Sequence, residues 1–167
     1  ESMMKNRLKP MHGFHPQPAP DVEYFDHYRE KSESLQSAIY MGKRCINRSH
    51  PDYPALLLLN EVFGGYFGSR LMQNIREDKG YTYGIHSYLQ SHIHDSAWLI
   101  STEAGKDVSE ATIIEVYKEM KILREELVDA EELLLVRNYM MGSLLGDLDG
   151  PFQIIARWKT YVLNNLK

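Results

Sequence analysis

The 167-residue sequence predicts an α+β fold, a mixed or antiparallel sheet with helices packed on one face. Three observations predict it. Segments of alternating polarity are clustered rather than strictly interleaved with helices, and two of them are neighbours across a short polar turn. Strong helical patterns gather towards the C-terminal half. The run "ALLLLNEVFGG" at 55–65 is too apolar to stand in water and needs a second layer to bury against.

Taken in order, residues 1–33 read as a linker or extended arm, and residues 34–167 as the domain proper. The first twenty, "ESMMKNRLKPMHGFHPQPAP", carry four prolines and no hydrophobic period. Leu35 to Ile46 alternates loosely, with Ile39, Tyr40, Met41 and Ile46, and predicts a strand. A helix over 51–63 follows. Ser49 or Asp52 can cap it, proline is tolerated in its first turn, and Gly64-Gly65 ends it. Its nearly continuous apolar interior predicts burial on most sides. "GSRLMQNIRE" predicts a short second helix capped by Ser69, with Leu71, Met72 and Ile75 as its stripe and Gly80 as a left-handed stop.

"YTYGIHSYLQ" and "SAWLISTEA" flank the polar "SHIHD" and predict a hairpin, giving a sheet of at least three strands: 35–46, 81–90 and 96–104. "DVSEATIIEVYKEMKILREEL" predicts an amphipathic helix. Asp107 and Glu110 have capping-box spacing, and Ile113, Val116, Tyr117, Met120 and Leu127 carry the period. Asp129 with Glu132 repeats that start signal for the helix 130–145. "GDLDG" is a turn, and Pro151 opens a last helix bearing Phe152, Ile155, Trp158 and Val162. There is no internal repeat.

Composition narrows the function classes. The net charge of −4 gives no basic surplus, so nucleic acid is not an expected partner. No apolar run reaches membrane-spanning length, so no membrane partner is expected either. One cysteine, Cys45, excludes an internal disulfide and leaves the compartment open between cytoplasm and periplasm. The chain starts at Glu1 without a signal peptide and ends without a closing turn, so it is expected to be a piece of something longer.

Few residues offer chemistry. His12 and His15 sit in a proline-rich arm, and His92 and His94 in a turn. His86 stands alone on a strand, and neither H-E-x-x-H nor H-x-x-E-H occurs, so no metal site is expected in this chain. Cys45 has Lys43 and Arg44 beside it, which can lower a thiol pKa. It lacks a histidine-containing motif, and a half-buried structural cysteine is its default reading. "GGYFGS" lacks both the preceding strand and the Lys-Ser/Thr ending of a phosphate loop. Arg76 and Tyr83 remain. Arg76 ends a short helix, where a cation suits the dipole, and Tyr83 begins the returning strand.

The stretch "LLLLNEVFGGYFGSRLMQNIREDKGYTYGIHS" resembles the M16 zinc peptidases: insulinase, pitrilysin, the mitochondrial processing peptidase and above all the small bacterial M16B type. The residues that carry the resemblance are Asn60, Gly64-Gly65, Ser69-Arg70-Leu71, Arg76-Glu77, Gly80 and Tyr83. "LQSAIYMG" at 35–42 and "VDAEELLLVRNYMMGSL" at 128–144 extend it, so that it spans roughly 34–167. One departure is Tyr81, where the family has leucine, on a face expected to be packed. A second is truncation, because the family's domain continues past the last helix.

The resemblance implies a truncated M16/LuxS-like half-subunit, the C-terminal domain without zinc and inactive alone. It implies zinc in a missing N-terminal domain or partner subunit, a peptide substrate, and a dimer among the forms of the full protein. It implies that Arg76 and Tyr83 bind substrate, and that Tyr83 acts catalytically in trans by donating to an oxygen that gains charge during peptide cleavage. The other expectation is a pseudo-peptidase domain that shapes a chamber or holds a partner.

Overall fold

The computed structural model describes residues 26–29, 33–92, 95–164 and 166. The expected arm, 1–33, lies outside the described residues except at 26–29 and 33, as do His12, His15 and His94.

Three ten-residue strands form the sheet: β1 (Gln36–Cys45), β2 (Thr82–Ser91) and β3 (Ser96–Gly105). Their order is β1-β3-β2 and both pairings are antiparallel. The register aligns Ile39 with Thr102 and Met41 with Ile100 on one side, and Ile85 with Thr102 and Ser87 with Ile100 on the other. Side chains alternate across a strand, so these rows share one face. That face is the buried one: Ile39, Ile85, Ser87, Ile100, Thr102 and Ala104 are all buried.

Helices cover that face. α1 (Tyr53–Asn60) runs into a π-helical turn, Glu61–Gly65, and a π-helix, Met72–Asp78, follows. A 3-10 turn at Lys106–Val108 leads into α2 (Ser109–Glu125), then α3 (Ala130–Gly146) and α4 (Pro151–Leu163). The core joins Phe63, Leu71, Met72, Ile75, Ile85, Ile100 and Val116, with Met41, Tyr81, Trp98, Met120 and Leu123 packed around it. The predicted stripe Leu71–Met72–Ile75 is fully buried, and Tyr81 takes a packed position.

Helix and sheet approach closely at Gly64. A Cβ there would meet Ser87 Oγ at 2.7 Å and the Ser87 backbone nitrogen at 2.9 Å. Asn60 ties the same junction. Its amide nitrogen donates to the Ser87 carbonyl at 3.3 Å, while its Oδ1 accepts from Ser87 Oγ and Trp98 Nε1, both at 2.9 Å. Buried polar groups that are satisfied in this way specify one arrangement of the layers.

Several local expectations are corrected. Neither Ser49 nor Asp52 caps α1 through its side chain, although Asp52 holds the cap position. Leu56 to Leu59 are half-buried rather than buried on most sides, because the sheet meets one face of α1 and no second layer of described residues covers the other. Ser69 does not cap the second helix; its hydroxyl is buried without a partner. Asp107 does not cap α2, which begins after the 3-10 turn with Val108 at the cap position. The buried stripe of α2 is also rotated. Thr112, Glu115, Val116 and Glu119 are buried, while Tyr117 is exposed and Leu127 is 97% exposed. Asp129 does cap α3, accepting from the Glu131 backbone nitrogen at 2.8 Å, but Glu132 turns away to pair with Arg70. Among the described residues no helix is long and apolar enough to cross a membrane.

Candidate functional site

The turn between the π-helix and β2 sets the site. Gly80 adopts a φ of 65°, the left-handed conformation that glycine takes without steric cost. The Gly80 nitrogen donates to the Arg76 carbonyl and the Tyr81 nitrogen to the Ile75 carbonyl, at 3.1 and 3.0 Å. Each bond spans one residue more than its counterpart in the usual glycine-terminated α-helix, as the wider π winding requires.

Tyr83 follows in an irregular stretch of β2. Thr82 pairs with Ala104 and Ile85 with Thr102, so three steps on β2 match two on β3. This is a β-bulge with Tyr83 and Gly84 opposite Glu103. Strict alternation back from buried Ile85 would send Tyr83 into the core; the extra residue sends it to the open face, where it is 91% exposed. Two threonines brace the bulge. Thr82 Oγ1 accepts from the Gly84 nitrogen at 3.1 Å, and Thr102 Oγ1 lies 2.9 Å from both Thr82 Oγ1 and the Gly84 carbonyl.

Tyr83 lines two adjoining open depressions on this face. One, of about 290 Å³, also takes in Tyr40, His86, Ser101 and Glu103. The other, of about 380 Å³, takes in Gly80, Tyr81, Glu103 and Asp107. Register explains the grouping: Tyr40 and His86 both pair with Ser101, in the row next to the Glu103–Tyr83 row. Adjacent rows on one face lie roughly 7 Å apart along the strands.

Arg76 is placed differently. It is half-buried, its guanidinium carbon stands 4.7 Å over the Phe67 ring, and Nη1 donates to Glu77. It lines neither depression. The end of its helix is held from α2. Asn74 Nδ2 donates to Glu119 at 2.7 Å and Glu115 at 3.3 Å, and Lys79 pairs with Glu115 at 3.3 Å. The Lys118 ammonium, then Lys79 and Asn74, outweigh burial and hold the Glu115 carboxyl below the ordinary range. Further along, Arg70 forks onto Glu132 at 2.8 and 2.7 Å, linking the π-helix region to α3.

Sequence reasoning passed over Tyr40, His86 and Glu103 as members of one surface. The parity of β1 and β3 could have grouped Tyr40 with Glu103; His86 joins them through its pairing with Ser101, and Tyr83 joins only across the bulge. Burial and then Asp95 raise the Cys45 thiol pKa, so Lys43 and Arg44 do not activate it. No group of three or more histidine, cysteine or acidic side chains stands ready for a metal ion among the described residues.

Residues 5–140 match the profile of the family described as "Peptidase M16 inactive domain", and the chain belongs to that family. It is 29% identical over 127 residues to an uncharacterized zinc protease, YmxG, of Bacillus subtilis, covering 76% of this chain and 31% of that protein. It is 30% identical over 146 residues to the Helicobacter pylori protein named non-peptidase homolog YmxG, covering 76% of this chain and 33% of that one. The crystal structure of a peptidase M16 inactive domain from Pseudomonas fluorescens superposes with a TM-score of 0.74 at 27% identity, over 80% of this chain and 32% of that one. The chain therefore spans about a third of the length of these relatives.

Proposed function

We propose that this domain supplies substrate-binding and transition-state-stabilising side chains to a zinc peptidase centre on another domain or chain, and is inert alone. The observation that carries the reading is the bulge that turns the Tyr83 phenol out of the core onto an open face. A phenol held there can donate to an oxygen that becomes negatively charged as a peptide carbonyl is attacked. Arg76, always charged and seated on Phe67, can hold a carbonyl of the peptide in the ground state. In this reading the zinc is held by another domain or chain; among the described residues no three metal-ligating side chains stand together. The partners are then a peptide and an N-terminal zinc-bearing domain or subunit.

The test is kinetic, in the full-length parent. Tyr83→Phe should lower kcat about 10²-fold with KM little changed, by analogy with deleting one oxyanion donor. Arg76→Ala should raise KM as well. If both variants keep wild-type kinetics, the pair is structural. The Helicobacter pylori relative, named a non-peptidase homolog, favours the second reading in that event: a domain that shapes a chamber or holds a partner.

A further inference from the structure

We infer that the open face around Tyr83 receives a cationic side chain, the arginine or lysine of an extended peptide. This rests on the peptide-binding reading above and adds the chemical class of the residue that the face selects.

The charges on this face are one-sided. Glu103 lines both depressions and Asp107 the second, and neither lining contains a lysine or arginine. Neither carboxylate has an ion-pair or hydrogen-bond partner among the described residues, whereas Glu115, Glu132 and Asp95 each hold a cation. An anionic side chain entering here would meet two uncompensated carboxylates.

The aromatic content points the same way. Tyr40 is 76% exposed and Tyr83 is 91% exposed, with no covering layer among the described residues. Ring faces attract cations, guanidinium most often, and carboxylates beside them add to that attraction. A divalent metal is a poorer occupant, because His86, Glu103 and Asp107 do not converge into a group that could hold one. An apolar side chain would leave both carboxylates without a partner.

The extended form follows from the geometry. The bulge opposite Glu103 and the Tyr40–Ser101–His86 row form a shallow, open strip across three strands rather than an enclosed pocket. A strip of this kind accommodates one or two side chains of a chain laid across it.

The experiment uses this 167-residue chain and a ten-residue peptide of serine, glycine and threonine with one central arginine, against the same peptide with citrulline. Fluorescence anisotropy at low ionic strength measures affinity, and amide chemical shifts report where binding occurs. The arginine peptide should bind about tenfold more tightly, with shifts at Tyr40, Tyr83 and Glu103. Because the whole chain carries a net charge of −4, non-specific attraction is separated by the double variant Glu103→Gln with Asp107→Asn. That variant should erase the preference and leave citrulline-peptide affinity unchanged. Both side chains are on the surface, and circular dichroism checks that the variant folds. Equal affinity for the two peptides at this face would overturn the inference and leave peptide binding intact. A preference that survives the double variant overturns it too. If neither peptide binds, the peptide-binding reading fails with it.

Discussion

At the scale of single residues, Gly64 and Tyr83 decide most. Gly64 is where the π-turn presses on β2, with the Ser87 backbone nitrogen 2.9 Å from the place a Cβ would occupy. Backbone cannot rotate aside as a side-chain tip can. Gly64→Ala should therefore cost about 1–3 kcal/mol of stability, the usual range for overpacking. Urea unfolding should show a lower midpoint with an unchanged slope. Tyr83 is the opposite case. Its ring contributes almost no burial, so Tyr83→Phe should leave the unfolding midpoint unchanged while lowering kcat in the full-length parent. A stability loss without a kinetic one would make Tyr83 a packing residue and contradict its exposure.

At the scale of elements, the π-helix is fastened to α2 by the Asn74 and Lys79 contacts to buried Glu115 and Glu119, and Lys118 of α2 itself also pairs with Glu115. The Glu115 carboxyl titrates lower in the folded chain than in the unfolded one. The sign follows: its stabilisation is present above the unfolded value, about 4.3, and is lost as pH falls through the folded value. Wild type should be more stable than Glu115→Gln at neutral pH, and the gap should close as pH falls below the unfolded value. Glu61 has the opposite sign, since burial raises its pKa, so Glu61→Gln should not reproduce that narrowing. Unfolding curves at several pH values, for both variants, measure this. A constant gap between wild type and Glu115→Gln would show that the carboxylate matters for shape rather than charge.

At the scale of the whole molecule, the sheet side is well packed and the C-terminal helices are not. On α4, Phe152, Ile155, Trp158 and Val162 are 83, 63, 70 and 61% exposed, and on α3 Leu135 and Met141 are also largely exposed. α4 is tied to neighbouring segments by polar contacts, Arg157 at its middle to Asp147 and Ser49 to the Asn164 carbonyl at its C-terminal end. An apolar surface of this kind promotes association in water. The isolated chain should bind a hydrophobic dye and sediment as larger species with rising concentration. Phe152→Ser with Trp158→Ser should reduce both and shift stability by no more than about 0.5 kcal/mol, as for surface substitutions. A large fall in the unfolding midpoint would mean that these rings are packed.

By itself the sequence determined the clustered strands, the glycine stop at Gly80, the buried Leu71–Met72–Ile75 stripe, the Asp129 cap and the membership in the M16 family. These are local signals. Glycine, proline and capping residues act within a few positions, and a period of 2 or 3.6 is written along one chain. Tertiary structure decided the rest. β3 is central because it bonds both other strands, which alternation within β3 cannot announce. The buried face of α2 carries two glutamates because Asn74, Lys79 and Lys118 come from elsewhere or from the next turn to satisfy them. Above all, the facing of Tyr83 depends on a count of residues against the partner strand. A bulge adds one residue to β2 and reverses the side, and a single strand read alone holds no record of what it pairs with.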